Sequence, residues 1–136
     1  MSAAESSARM NIRSTLIELC DAFNSHDLDR IMSYFSDNCV LEMPRGREPW
    51  GTRYEGKAAT REGLAGRFEG IPDVRYTDET HYADESSQTG MSTWTLTGTT
   101  KDGEFKRVHG CDFYTFRDGM VARKDSYWKI VEHTAP

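Results

Sequence analysis

The sequence predicts an α+β fold, with three helices followed by one curved, mainly antiparallel sheet. Three observations carry this. Apolar residues recur at helical spacing up to about residue 68, the period changes to two after Pro72, and the dipeptides Asp102-Gly103 and Asp118-Gly119 stand where hairpin turns belong.

Ser2 to Ser7 is small and polar and is expected to fray. One domain is expected over 8–132, with 133–136 as a short polar tail. From about Ala8, Ile12, Leu16, Leu19, Cys20 and Phe23 fall on one face of a first helix ending near Asn24. Asp27 is placed to cap a second helix with Leu28, Ile31, Met32 and Phe35 on its inner face. Ser36-Asp37-Asn38 reads as a turn, and Cys39 to Met43 as a short strand stopped by Pro44. The loop from Pro44 to Gly56 carries two prolines, three glycines, three arginines and Trp50, and its length suits a segment that lines or covers a site. A third helix follows over Lys57 to Phe68, with Ala58, Leu64, Ala65 and Phe68 inward and Gly70 and Pro72 as its stop. Four hairpin-linked strands complete the chain: Asp73 to Asp84, Gln88 to Thr100 around Trp94 and Leu96, Glu104 to Phe116, and Met120 to about Ile130.

At 136 residues the chain suffices for one core. Seventeen basic against 22 acidic residues give a net charge of −5, which argues against nucleic acid or an anionic membrane as the main partner. No apolar run approaches the ~20 residues of a membrane helix, and the first ten residues lack the layout of a signal peptide. A cytoplasmic location is expected. Cys20, Cys39 and Cys111 are odd in number and form no Cys-x-x-Cys pair, so they read as small buried residues rather than a disulfide framework or zinc knuckle. His26, His81, His109 and His133 have no metal-ligand spacing. No metal or cofactor is expected.

The chemistry centres on the stretch from His109 to Trp128, two aromatic-rich strands with one carboxylate, Asp112, among apolar neighbours. Register decides what Asp112 meets, because one residue of slip reverses every side chain. A two-residue Asp102-Gly103 turn sets Asp112 opposite Thr93, Gly110 opposite Thr95 and Val108 opposite Thr97. In the last hairpin a two-residue turn would oppose Asp112 and Asp125, two like charges. A three-residue Arg117-Asp118-Gly119 turn sets Asp112 opposite Lys124 instead and is preferred. It gathers Val108, Gly110, Asp112, Tyr114, Phe116, Ala122, Lys124, Ser126 and Trp128 on one face. Arg107, His109, Cys111, Phe113, Arg123, Asp125 and Tyr127 fall on the other, a surface suited to a dimer. His109 would need a bulge at Gly110 to join Asp112. Asp112 is then either a proton-transfer group or a structural partner of Lys124. Trp50, Tyr54 and Trp128 are pocket-lining or packing aromatics. Arg45 and Arg47 could meet a ligand carboxylate.

Asn24-Ser25-His26-Asp27-Leu28-Asp29, the Tyr54-Glu55-Gly56 entry to the third helix, and Gly110-Cys111-Asp112 running into Phe116-Arg117-Asp118-Gly119-Met120-Val121 resemble the nuclear transport factor 2-like superfamily. Within it the chain is similar to the SnoaL-like polyketide cyclase and ketosteroid isomerase branches, over roughly residues 8–132. The resemblance implies a cone-shaped α+β barrel with three N-terminal helices enclosing a deep apolar pocket, in a homodimer packed through the sheet. In the cyclases the Asp of the Gly-x-Asp is the acid/base, and Asp112 matches it. In the isomerases the matching Asp hydrogen-bonds the enolate oxygen, and Trp128 matches a pocket Trp. Met43 stands where those isomerases carry a proton-shuttling Asp, and Leu19 where they carry an oxyanion Tyr. Gly110 and Ser126 replace the Arg and second Asp of the limonene epoxide hydrolases.

The reading that follows is a cofactor-free enzyme that moves a proton on a small apolar or aromatic, carbonyl-bearing substrate, as an isomerase, cyclase, lyase or hydrolase. Asp112 and Lys124 would be catalytic, with Tyr114, Trp128, Trp50, Tyr54 and Met43 around the substrate. The alternative is a non-catalytic ligand-binding or dimeric interaction module of the same fold.

Overall fold

The computed structural model describes residues 11–132. Residues 1–10 and 133–136 lie outside the described residues, and with them the expected frayed start, the helical turn from Ala8 and the C-terminal tail. Helix α1 spans Ile12–Ser25, α2 Leu28–Met32 and α3 Lys57–Gly70. The strands are β1 Phe35–Glu42, β2 Arg53–Glu55, β3 Arg75–Asp84, β4 Thr89–Thr99, β5 Phe105–Arg117 and β6 Met120–Trp128. Among the described residues no helix is long and apolar enough to cross a membrane.

The helices form where the 3.6 period places them. Asn11 accepts from the Ser14 amide at the start of α1, and Ile12, Leu16, Leu19, Cys20 and Phe23 are buried along it. At its end His26 takes the left-handed conformation (φ 60°), and its amide donates to the Phe23 carbonyl. Asn24 then bonds β3 twice, accepting from the Tyr76 amide (2.8 Å) and donating to the Tyr76 carbonyl (2.9 Å). His26 Nε2 meets the Val74 carbonyl at 2.7 Å. The Asn-Ser-His segment is thus a clasp that fixes Tyr76 against α1. Asp27 caps α2, as expected, accepting from the Arg30 amide. Helix α3 buries Thr60, Gly63 and Leu64. Ala58, expected inward, is exposed, because the buried stripe begins at Thr60, whose hydroxyl accepts from the Cys39 thiol at 3.4 Å.

The strands make one curved six-stranded sheet in the order β2-β1-β6-β5-β4-β3, antiparallel except for β1 beside β6. It is open rather than closed into a barrel, since among the described residues β2 and β3 have no partner beyond them. Ser36-Asp37-Asn38 lies within β1 rather than in a turn. The register between β1 and β6 shifts between Phe35 and Val40, and that irregularity absorbs the polar residues. The core lies between the sheet and the helices, where Leu16, Leu19, Ile31, Phe35, Leu41, Leu96 and Val121 are at most 1 % exposed.

Both hairpin registers differ from expectation. Between β4 and β5 the pairing is Asp112 with Ser92, Gly110 with Trp94 and Val108 with Leu96. The loop there is Lys101-Asp102-Gly103, closed by the Thr100 amide on the Glu104 carbonyl at 2.9 Å, with Gly103 at φ 86°. Three turn residues in place of two bring the apolar even-numbered positions of β4 inward. Between β5 and β6 the turn is the two-residue Asp118-Gly119, with both φ positive, and a bulge follows between Thr115 and Phe116. Val121 takes the buried place expected for Ala122, and Asp112 pairs with Ser126 while Lys124 pairs with Tyr114. The turn and the bulge together keep Asp112, Lys124 and Ser126 on one face.

Candidate functional site

Asp112 sits at the centre of the inner sheet face, 5 % exposed. Three donors converge on it. Lys124 Nζ donates to Oδ1 at 2.9 Å, the Ser126 hydroxyl donates to the same oxygen, and Trp94 Nε1 donates to Oδ2 at 3.0 Å. Lys124 also bonds Ser126 Oγ at 2.8 Å, and its ammonium lies 5.2 Å from the centre of the Phe23 ring. Lys124 and Ser126 are each 6 % exposed, so the charges are paired out of water as a buried pair requires. Gly110 makes the arrangement possible, because a Cβ there would stand 2.5 Å from Trp94 Cη2 and 2.5 Å from the Tyr127 carbonyl. The indole lies across the glycine and its N–H reaches Asp112.

Around this network stand Cys20, Phe23, Tyr76, Ser92 and Tyr114 on one side, and Met43, Leu64, Arg67 and Trp128 on the other. Burial pushes the phenols of Tyr76 and Tyr114 up, against the Arg67 charge in the case of Tyr76, so both are hydrogen-bearing at neutral pH. The Arg67 guanidinium also lies 4.3 Å above the Trp128 ring. Burial, with Glu79 beside it, pushes the Cys20 thiol far up and excludes it as a thiolate nucleophile. His81 Nδ1 meets Ser92 Oγ at 2.8 Å, and burial lowers the imidazole's pKa.

The deep apolar pocket expected here is filled by these side chains. Each of the two voids beside Asp112 and Lys124 holds about 10 Å³, the room of one water. Tyr76 and Trp94 meet edge to face at 5.0 Å, and Lys124 spans the space between α1 and the sheet. The less buried wall residues Met43, Arg67 and Trp128 stand on the second void.

Asp112, Lys124, Tyr114, Met43 and Trp128 are therefore brought together. Trp50 and Tyr54 are not. Trp50 is 44 % exposed with Arg53 over its ring at 4.6 Å, and it borders a surface groove with Arg123 and Tyr127. Tyr54 packs on α3, where Gly63 leaves room for its ring. His109 faces away from Asp112 and meets Thr95 Oγ1 at 3.0 Å, with an unbroken register through Gly110. A two-residue β4–β5 turn would point Trp94 and Ser92 outward, and only the three-residue turn that forms brings them to Asp112. The apolar residues of α3 do not point to Arg67, although it lies one turn beyond Leu64 on the buried stripe. Among the described residues no group of three or more His, Cys, Asp or Glu side chains is placed to hold a metal ion.

The family model for the SnoaL-like domain matches residues 16–124. The chain belongs to the SnoaL-like family. Among solved structures, a candidate isomerase from Bacillus subtilis is 25% identical, with a TM-score of 0.73 over 88% of this chain and 90% of that one. A candidate polyketide cyclase from Pseudomonas putida KT2440 is 17% identical, with a TM-score of 0.79 over 89% and 93%. The epoxide hydrolase/cyclase-like SalBIII, which acts in pyran ring formation in the polyether salinomycin, is 19% identical, with a TM-score of 0.71 over 85% and 88%. These likenesses give the SnoaL-like chain its nuclear transport factor 2-like α+β fold. A comparison with curated proteins found no match.

Proposed function

We propose that this SnoaL-like protein is a cofactor-free enzyme that transfers a proton on a small apolar or aromatic, carbonyl-bearing molecule, in an isomerase, cyclase, lyase or hydrolase reaction. One observation carries the reading. A single carboxylate, Asp112, is held at the centre of the inner face by Lys124, Ser126 and Trp94, fixed in position without being exposed to bulk water. Asp112 would remove a proton beside the carbonyl and return it, and Lys124 would balance the charge. The phenols of Tyr76 and Tyr114, kept hydrogen-bearing by burial, would donate to the developing enolate oxygen. Substrate would enter by displacing Met43 and Arg67, flexible side chains on the less buried wall. A homodimer through the outer sheet face belongs to the same proposal.

The small size of the voids beside Asp112 favours a second reading, a module whose interior holds no substrate. Solvent deuterium exchange separates the two. A panel of apolar ketones would be incubated with the protein in D2O and followed by NMR at the carbons beside the carbonyl. The enzyme reading expects protein-dependent exchange on at least one ketone, falling by about 100-fold or more in Asp112→Asn, the usual scale of a lost general base. Exchange at the wild-type rate in Asp112→Asn would remove Asp112 from the mechanism, and absence of exchange across the panel would favour the module.

A further inference from the structure

A cavity much larger than the voids at Asp112 lies on the far side of Trp128. It is a groove of about 410 Å³ between the Pro44-Arg45 corner, the start of β5 and the segment that follows β6. That is the volume of a small-molecule site, whereas the voids beside Asp112 are not. Its apolar lining is Val108 and Trp128 with the exposed Phe105, Ile130 and Val131, and its basic groups are Arg45, Lys106, Arg107 and Lys129. Among the described residues no acidic side chain lines it, although the whole chain carries a net charge of −5. Lys106 pairs with Glu104 at 3.2 Å, but Arg45, Arg107 and Lys129 have no side-chain ion pair among the described residues. Trp128 is common to the groove and to the void beside Asp112.

We propose that this groove binds a small amphiphilic anion, an aliphatic or aromatic body ending in a carboxylate or phosphate. The body lies on Phe105, Ile130 and Val131, and the anionic end meets Arg107, Lys129 and Arg45. On the reading of Asp112 as the acid/base, the bound molecule is the substrate, whose carbonyl-bearing end passes Trp128 toward Asp112. Charge complementarity commits the groove to an anion. An anion would gain charge-assisted bonds from three exposed cations beside an apolar lining, a gain that a neutral ligand lacks.

Decanoate and decanol are suitable probes, titrated into 15N-labelled protein at low salt and read from the amides of Val108 and Ile130 and the Trp128 indole. Decanoate is expected to bind at least ~10-fold more tightly than decanol, the scale of one charge-assisted hydrogen bond, and to weaken as salt is added. Arg107→Glu with Lys129→Glu, both exposed positions, should remove that advantage and leave decanol binding and the folded spectrum unchanged. Asp112→Asn should bind decanoate as the wild type does, so groove binding is scored independently of ketone exchange. Decanoate binding without exchange in any ketone or in a keto acid of the same length would sink the acid/base reading alone. Equal affinity for the two probes, shifts confined to other regions, or no effect of charge reversal would overturn the groove proposal. Movement of the groove resonances on diluting the protein alone would assign the groove to a contact between copies and overturn it. Binding seen only in a chain ending at Glu132 would give it to residues 133–136, with the same consequence.

Discussion

Asp112 depends on a residue that has no side chain. Gly110→Ala would push a methyl group into the Trp94 ring and the Tyr127 carbonyl, both at 2.5 Å, and backbone cannot give way as a flexible side chain does. The variant is expected to lose about 1–3 kcal/mol in urea unfolding, the usual cost of overpacking. The Trp94 indole N–H resonance should move as its bond to Asp112 is lost, and an unshifted indole would refute the role given to Gly110. The buried pair supplies a second residue-scale test. Lys124→Met strands the Asp112 charge and should cost ~3–5 kcal/mol, whereas Asp112→Asn with Lys124→Met should recover part of that loss. Strictly additive single effects in the double-mutant cycle would show that the 2.9 Å contact contributes nothing.

At the scale of elements, Glu42 ties three strands together. It stands on β1, is fully buried, and takes two hydrogen bonds from Arg53 on β2 (2.9 and 2.7 Å) and one from Arg123 on β6. Burial alone would raise its pKa, but the hydrogen bonds and charges of the two guanidiniums outweigh that and hold it below the ordinary carboxylate value. With the folded value below the unfolded one, the unfolded chain binds more protons between the two. The clamp's stability is therefore complete above the unfolded value, about 4.3, and is lost as pH falls through the lower folded one. Unfolding midpoints measured from pH 7 down to pH 3 should fall along an acid limb that Glu42→Gln flattens, and an unchanged limb in that variant would exclude the clamp as its source. The clamp was not legible in the sequence, because Arg53 lies in what reads as loop and the parallel β1–β6 pairing is a long-range choice. The helices were legible, since Leu16, Leu19 and Phe23, and the cap at Asp27, follow local rules. Register was only half legible. Each Asp-Gly dipeptide accepts either a two-residue or a three-residue turn, and the sequence carries no local signal for the bulge between Thr115 and Phe116. In the last hairpin the bulge restores the parity, so Asp112 and Lys124 meet as read. In the hairpin before it nothing compensates, so Trp94 stands where Thr93 and Thr95 were expected.

At the scale of the whole molecule, the sheet has two faces with different obligations. The inner face is closed by α1 and α3 over Asp112. The outer face leaves Phe113 42 % and Tyr127 58 % exposed on adjacent strands, with His109, Arg107 and Arg123 around them. Aromatic residues ringed by charges are the composition of an interface that also tolerates water, and a self-complementary face on a single sheet suits a two-fold dimer. Such a pairing would leave Asp112 untouched, because residues of opposite parity on β5 point to opposite faces. Sedimentation of the wild type at tens of micromolar should therefore give a dimer, and Phe113→Glu with Tyr127→Glu should shift it to the monomer by setting like charges against each other across the two-fold axis. Tyr127 Oη donates to Asp125 at 2.9 Å, so the variant also loses one exposed bond, worth about 1 kcal/mol at most. Its circular dichroism and ketone exchange should stay near the wild type's if the inner face is self-sufficient. A wild-type monomer would remove the dimer from the proposal, and a monomeric variant without exchange would mean that the sheet needs its partner to hold Asp112, Lys124 and Trp94 in register.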